Sequence, residues 1–152
     1  LGQGPLEKDL KCQTLRLGLN YTDEPPVNPG NRVHFIGYVS HAFMPAYFAI
    51  SEVFVRPSLS EGLGISFLES MAAGVPVVGT SVGGIPDFLK EGETGLFCEV
   101  KNPKNIAQKV EKYLKDAESR EYIVKKARAL VKEKYQWEKI VVDMKRVFLE
   151  SK

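Results

Sequence analysis

The stretch from Pro57 to Gly84 constrains what this chain can fold into more than any other part of the sequence. It reads PSLSEGLGISFLESMAAGVPVVGTSVGG and comes just after the apolar run at 53–55. That run and the one at 75–78 predict two strands, and the residues from about Gly64 to Ala73 between them predict a helix. Short apolar runs rich in valine suit strands that are buried on both faces of a parallel sheet. The stretch therefore predicts one strand–loop–helix–strand unit.

The rest of the chain continues this alternation of strands and helices. Apolar runs predict strands at 33–36 and 96–100, and apolar spacing predicts helices at about 6–19, 43–50 and 86–90 and three more after Pro103. The Pro-rich segment at 20–31 is expected to be a surface loop. Strands that alternate with helices over the first hundred residues predict an α/β fold, with a parallel sheet covered on both faces.

Composition narrows the class of protein. A chain of 152 residues fits one domain over 1–152, and its 43% hydrophobic and 26% charged residues are typical of a globular protein. The net charge of +2 and the scattered basic residues give no indication of a nucleic acid partner. No apolar run approaches the ~18 residues of a membrane span. Cys12 and Cys98 lack metal-ligand spacing, so we expect two buried free thiols, no metal site and a cytoplasmic location.

The first residues suggest a piece of something longer. The chain does not begin with Met, and Leu1–Pro5 has the pattern of a strand end followed by a turn. We therefore expect a fragment or an isolated domain that lacks a preceding strand–helix segment.

Glycine-containing loops follow three predicted strands, at Gly37, at 61–64 and at 83–84. In parallel α/β sheets, ligands bind outside the carboxyl ends of the strands, where such loops gather. The loop at 61–64 leads into a helix N-terminus, whose unpaired N–H groups and positive dipole end attract anions, phosphate above all. The sequence therefore predicts a phosphate-binding edge.

Two glutamates flank that helix N-terminus. Glu61 lies in the loop, and Glu69 lies one to two turns into the helix. Their spacing suits a nucleotide-sugar, with the sugar near Glu61, the diphosphate at the helix end and the ribose hydroxyls near Glu69, since an ionised carboxylate only accepts hydrogen bonds. Gly62 and Gly64 would let the backbone approach the phosphates. The alternative is structural, because glutamates near a helix start often only complement the dipole.

Residues 53–95 closely resemble the C-terminal domain of the retaining group 1 glycosyltransferases, and the resemblance extends over nearly the whole chain. Their pattern is a strand, P-S, E-G-F-G, E-A-M-A-x-G, P-V-V, G-G with an acid, and G-x-x-G-x-L. The matching segments here are PS at 57–58, EGLG at 61–64, ESMAAG at 69–74, PVV at 76–78, GGIPD at 83–87 and GETGLF at 92–97, with GQGP at 2–5, RVHFIGYVS at 32–40 and YQWEKI at 135–140 outside them. Leu63, Ser70 and Asp87 depart mildly from the pattern.

The resemblance implies a Rossmann-like domain, the C-terminal half of a GT-B enzyme that transfers a sugar from a nucleoside diphosphate donor. It implies that Glu61 is catalytic at the reacting centre, that Glu69 binds the ribose, and that no cofactor or metal is needed besides the donor substrate. It assigns donor binding to Gly37, Tyr38, Val39, Gly62, Leu63, Gly64, Ile65, Ser66 and Glu69. The backbone of Gly37, Tyr38 and Val39 would border the base of the donor.

The resemblance also implies parts that this sequence does not contain. Family members carry a phosphate-contacting Arg and Lys just ahead of this segment, and an N-terminal domain that binds a glycan or lipid acceptor. Because transfer needs both halves of the cleft, we expect these 152 residues alone to bind a nucleotide weakly and to catalyse nothing. The alternatives are a GT-B epimerase or phosphorylase, and a non-catalytic nucleotide-binding domain.

Other conspicuous residues favour structural roles. His34 and His41 have no Cys or Asp at triad or ligand spacing, and Trp137 is expected to pack. The basic helix at 120–134 is interpreted as a solvated outer face, with peripheral membrane contact as the alternative.

Overall fold

The computed structural model describes residues 4–23 and 33–150. It divides the chain into two compact units, residues 1–45 and residues 46–152, which are described separately. Most of the predicted loop at 20–31 and the first residues of the predicted opening turn lie outside the described residues. The described part of the loop prediction was wrong at Tyr21–Thr22, which form a strand because they pair with Val33 and His34, residues that local sequence pattern does not connect to them. The expectation of one domain over 1–152 stays a prediction.

The first unit contains a helix, a small parallel sheet and the start of a second helical segment. Helix α1 (Glu7–Arg16) is followed by strands β1 (Tyr21–Thr22) and β2 (Val33–His34), which pair in parallel. A 3-10 helix (His41–Phe43) leads into α2 (Met44–Ala49), which runs across the unit boundary. β2 is shorter than the predicted strand at 33–36.

The second unit contains a three-stranded parallel sheet. Strands β3 (Phe54–Arg56), β4 (Val77–Thr80) and β5 (Leu96–Cys98) follow the order β3-β4-β5. Phe54 pairs with Val77, and Val78 pairs with Leu96. The predicted α/β class with parallel strands is confirmed. The described hydrogen-bonded pairs, however, form separate two- and three-stranded sheets.

Helices cover both faces of the three-stranded sheet, as predicted. The helices that supply buried residues to these two faces are α3 (Ile65–Ala73), α4 (Ile85–Phe88), α5 (Pro103–Lys115) and α6 (Ala117–Lys134), and α7 (Trp137–Glu150) follows them in the chain. Every residue of β4 is buried, and successive side chains point to opposite faces. One core therefore gathers around Val77, with Phe67, Leu68, Met71, Ile85, Phe88, Leu89 and Ala127. The other gathers around Val78, with Leu96, Cys98, Tyr113 and Ile123.

Two packing expectations were wrong. Trp137 begins α7 but is 76% exposed, and α7 contains no buried residue, so its apolar stripe is not part of the described core. Cys12 is exposed, whereas Cys98 is buried as expected, and both are free thiols. The difference at α7 arises because amphipathic spacing defines a face of a helix without defining what covers that face. In the described ranges, no helix combines the length and apolar character needed to cross a bilayer.

A buried hydroxyl links α5 to the sheet and provides a first prediction. Tyr113 is 1% exposed, and its hydroxyl donates to the carbonyl of Val77 at 3.1 Å. Burial raises the pKa of Tyr113 above its ordinary value. Tyr113→Phe is expected to lower the free energy of unfolding by about 1 kcal/mol at pH 7, because one hydrogen bond is lost and the Val77 carbonyl loses a partner. Urea denaturation measures this, with the half-exposed Tyr122→Phe as the matched control.

The same tyrosine predicts a dependence on pH. Its hydroxyl is kept protonated by the fold, so its contribution is fully present below the unfolded pKa of about 10 and is lost as pH rises above it. Tyr113→Phe should therefore flatten the fall in stability above pH 10. An equally steep fall in the variant would contradict this assignment.

Candidate functional site

The loop between β3 and α3 turns sharply at a glycine that a larger residue would not replace easily. Gly64 has a φ of +78° and is the N-cap of α3. An added Cβ there would lie 3.1 Å from the ring of Phe67. Backbone conformation and close packing together favour glycine, and α3 begins at Ile65 as the predicted loop-to-helix turn requires.

The N-terminus of α3 suits an anion. Gly64 has no side chain to cap the first-turn N–H groups, and the first turn of α3 contains no acidic residue. The N-termini of α5 and α6 are different, since the side chains of Asn102 and Asp116 accept hydrogen bonds there. The dipole and the N–H groups at the start of α3 can therefore act on a bound anion.

A second loop lies directly against the first. The N–H of Gly84 donates to the carbonyl of Gly62 at 2.8 Å. A Cβ added to Gly83 would lie 1.8 Å from the backbone oxygen of Glu61. The loops that follow β3 and β4 are thus in backbone contact, as the shared sheet edge predicted, and the absence of side chains at Gly83 and Gly84 is what allows it.

Glu61 is held by two neighbours that the sequence did not indicate. Its side chain is 14% exposed, and Oε2 accepts a hydrogen bond from Oγ of Ser58 at 3.1 Å. The same oxygen lies 3.2 Å from Nη2 of Arg56. The hydroxyl of Thr80 donates to the Ser58 carbonyl at 2.6 Å, which connects this cluster to β4. A carboxylate is therefore fixed beside the start of α3.

The other predicted residues of this unit lie around the same helix end. Glu69 is the fifth residue of α3 and is half-buried. Leu63 and Ile65 are 46% and 61% exposed, so their apolar side chains and the exposed Gly62 form an open surface beside the helix end. Ser66, in the first turn, accepts a hydrogen bond from Arg56 at 2.8 Å.

The residues predicted to border the base belong to the first unit. Gly37 has a φ of +70°, which suits a turn after β2, and Tyr38 is 75% exposed. Their role at the donor base, together with that of Val39, stays a prediction. Among the residues that the structure describes, no cluster of His, Cys, Asp or Glu could hold a metal ion.

Comparison with protein families and curated relatives gives a consistent result. Residues 1–130 match the model of the family described as glycosyl transferases group 1. The chain is 40% identical over 147 residues to an uncharacterised glycosyltransferase of Methanocaldococcus jannaschii, covering 97% of this chain and 35% of the relative. The chain spans about a third of the length of curated relatives that it matches.

Solved structures give the same fold. The C-terminal domain of the group 1 family protein LpcC from Francisella tularensis is 26% identical with a TM-score of 0.73, covering 87% of this chain and 63% of that one. Anabaena HepE in complex with UDP and glucose is 22% identical with a TM-score of 0.82, covering 94% of this chain and 36% of that one. This likeness confirms the predicted Rossmann-like architecture of a GT-B C-terminal half.

Proposed function

The chain belongs to the group 1 glycosyltransferases, and on that premise we propose that it binds the nucleoside diphosphate sugar donor of such an enzyme. The observation that supports this most is the contact between the two loops around the uncapped start of α3, with Glu61 held beside it. The N–H groups of Gly64, Ile65 and Ser66 would bind the diphosphate, and Glu61 would approach the sugar and the reacting centre.

Glu69 completes the proposed donor site. It lies one turn further along α3 than Ile65, so a ribose attached to a diphosphate at the helix end falls within its reach. An ionised carboxylate accepts hydrogen bonds from both ribose hydroxyls, and such charge-assisted bonds are stronger than neutral ones. HepE, which has the same fold, has been solved with UDP and glucose, and this supports a nucleotide ligand for the fold.

The whole reaction that we propose is transfer of the sugar to a glycan or lipid acceptor, with retention at the anomeric carbon. The acceptor would be bound by the N-terminal half of a longer protein. Two free thiols fit a reducing compartment, so we propose a cytoplasmic location. Peripheral membrane contact through the basic surface of α6 stays an alternative to a solvated outer face.

Binding of nucleotides tests the donor site. We expect UDP, GDP or ADP at millimolar concentration to shift the amide resonances of Gly64, Ile65, Ser66 and Glu69 in NMR spectra of the chain, with one base preferred. No shift with any of the three nucleotides would contradict the proposal. Inorganic phosphate that binds better than every nucleotide would instead indicate a phosphorylase.

Glu69→Ala is expected to weaken binding of the preferred nucleotide by about 1–3 kcal/mol, because hydrogen bonds to a charged acceptor are lost. The same titration with the 2′-deoxynucleotide isolates the ribose contact. Wild type should discriminate against the deoxy ligand, and Glu69→Ala should not. Glu118→Ala, in the first turn of α6, is the matched control and should bind like wild type. A variant at Glu69 that still discriminates would contradict the ribose role.

A further inference from the structure

Arg56 is a feature of this site that the family motifs do not include. It is the last residue of β3 and directly precedes Pro57, where the motif begins. Its Nη2 lies 3.2 Å from Oε2 of Glu61, and its Nη1 donates to Oγ of Ser66 at 2.8 Å. One guanidinium therefore joins the loop carboxylate to the first turn of α3.

The guanidinium is positioned to bind more than these two partners. It has five N–H donors in one plane, and the two contacts need only one donor each. The Arg56 side chain is 48% exposed, so a ligand can reach it. Because Ser66 belongs to the first turn of α3, a group that binds the helix end also lies close to Arg56.

A cation at this site would offset the negative charges of the two glutamates and the diphosphate. Glu61 and Glu69 would both repel a diphosphate, while a helix end supplies only about half a positive charge. Over 4–23 and 33–150, Arg56 is the basic side chain that the hydrogen bonds and ion pairs connect to this loop and to the first turn of α3.

We propose that Arg56 binds the phosphate groups of the donor and that Glu61 and Ser66 orient its guanidinium for this. The inference rests on the proposed function, because it assigns a further ligand-binding residue to the same donor site. It is independent of the Arg–Lys pair that the family resemblance places ahead of this chain.

The test compares phosphate-containing and phosphate-free ligands. Inorganic pyrophosphate, the preferred nucleoside diphosphate and its nucleoside are titrated into wild type, Arg56→Gln and Arg56→Lys. Arg56→Gln should weaken the binding of pyrophosphate and of the nucleoside diphosphate about tenfold, because one charge-assisted hydrogen bond is lost. The affinity for the nucleoside should stay within about twofold of wild type. The affinity of Arg56→Lys for both phosphate-containing ligands should lie between those of wild type and Arg56→Gln, since lysine keeps the charge but lacks the planar guanidinium.

Arg120→Gln is the matched control. Arg120 also pairs with a glutamate, Glu52, at 3.4 Å, but Glu52 lies at the amino end of β3. This variant should bind all three ligands like wild type. Unchanged urea midpoints show that every variant is folded.

The outcomes separate the two proposals. If wild type binds the nucleoside diphosphate and Arg56→Gln binds it equally well, the role of Arg56 is overturned while the donor site stands. If Arg56→Gln also binds the nucleoside more weakly than wild type, Arg56 acts by holding the shape of the loop, and its role in phosphate binding is overturned. If wild type binds none of the ligands at millimolar concentration, both proposals are overturned.

Discussion

Phe67→Ala is expected to lower the free energy of unfolding of the chain by about 3–5 kcal/mol, the cost of removing a fully buried aromatic side chain and leaving a cavity. Phe67 is 0% exposed and contacts the rings of Phe54 and Phe88, with centroids 5.2 and 6.0 Å away. Its ring also fills the space beside Gly79, where an added Cβ would lie 2.7 Å from it.

The same substitution should weaken nucleotide binding. Phe67 donates its N–H to the carbonyl of Gly64, and its ring packs beside that glycine, so it anchors the start of α3. Urea denaturation followed by far-ultraviolet circular dichroism measures the stability, since the exposed Trp137 is a poor reporter of the core. Phe43→Ala is the control, because Phe43 is 65% exposed, and it should cost less than about 1 kcal/mol.

A double-mutant cycle tests the cause. Gly79→Ala alone should destabilise the chain, because its Cβ meets the ring of Phe67, but should cost less when Phe67 is already alanine. Additive effects of the two substitutions would contradict the packing argument.

Gly83→Ala is expected to lower the free energy of unfolding by about 3 kcal/mol or more and to abolish the nucleotide-induced NMR shifts of the residues around Gly64. Two effects add here. The φ of +55° disfavours any residue with a Cβ, and that Cβ would lie 1.8 Å from the backbone oxygen of Glu61. Because a backbone oxygen cannot move without the loop, the two loops must separate.

Gly92→Ala isolates the steric part of this effect. Gly92 has a φ of +73°, but an added Cβ would meet nothing within 4 Å. It carries the same conformational penalty without the clash, so it should cost only about 1 kcal/mol and leave nucleotide binding unchanged. Equal losses for the two glycine variants would show that the loop contact is unimportant.

Strand positions were predicted less accurately than strand existence. The apolar run at 75–78 predicted a strand, and the observed β4 is Val77–Thr80. The N–H of Val75 does not pair with a neighbouring strand, because it donates to the carbonyl of Ser70 and closes the C-terminus of α3. Gly79 continues the strand because its missing side chain makes room for Phe67. A sequence pattern shows neither the hydrogen bond of Val75 nor the packing of Phe67 against Gly79.

The glycine loops and the two glutamates were identified from the sequence, whereas the partners of Glu61 were not. Ser58 and Arg56 come before the loop and Thr80 comes far later, so only the pairing of β3 with β4 brings them together. A basic residue at the carboxyl end of a strand, beside the loop that was predicted to bind phosphate, is the signal that could have indicated Arg56.

By itself, the sequence determined the parallel α/β class, the turn of the chain at Gly64 and the family motifs, because these depend on local apolar spacing and on residues that are close in the chain. The tertiary structure decided at which glycines an added Cβ would clash and which cation accompanies Glu61. It also decided that α7 keeps its apolar side chains exposed in the described residues. These features depend on distances between residues that are remote in sequence, and such distances exist only once the sheet has formed.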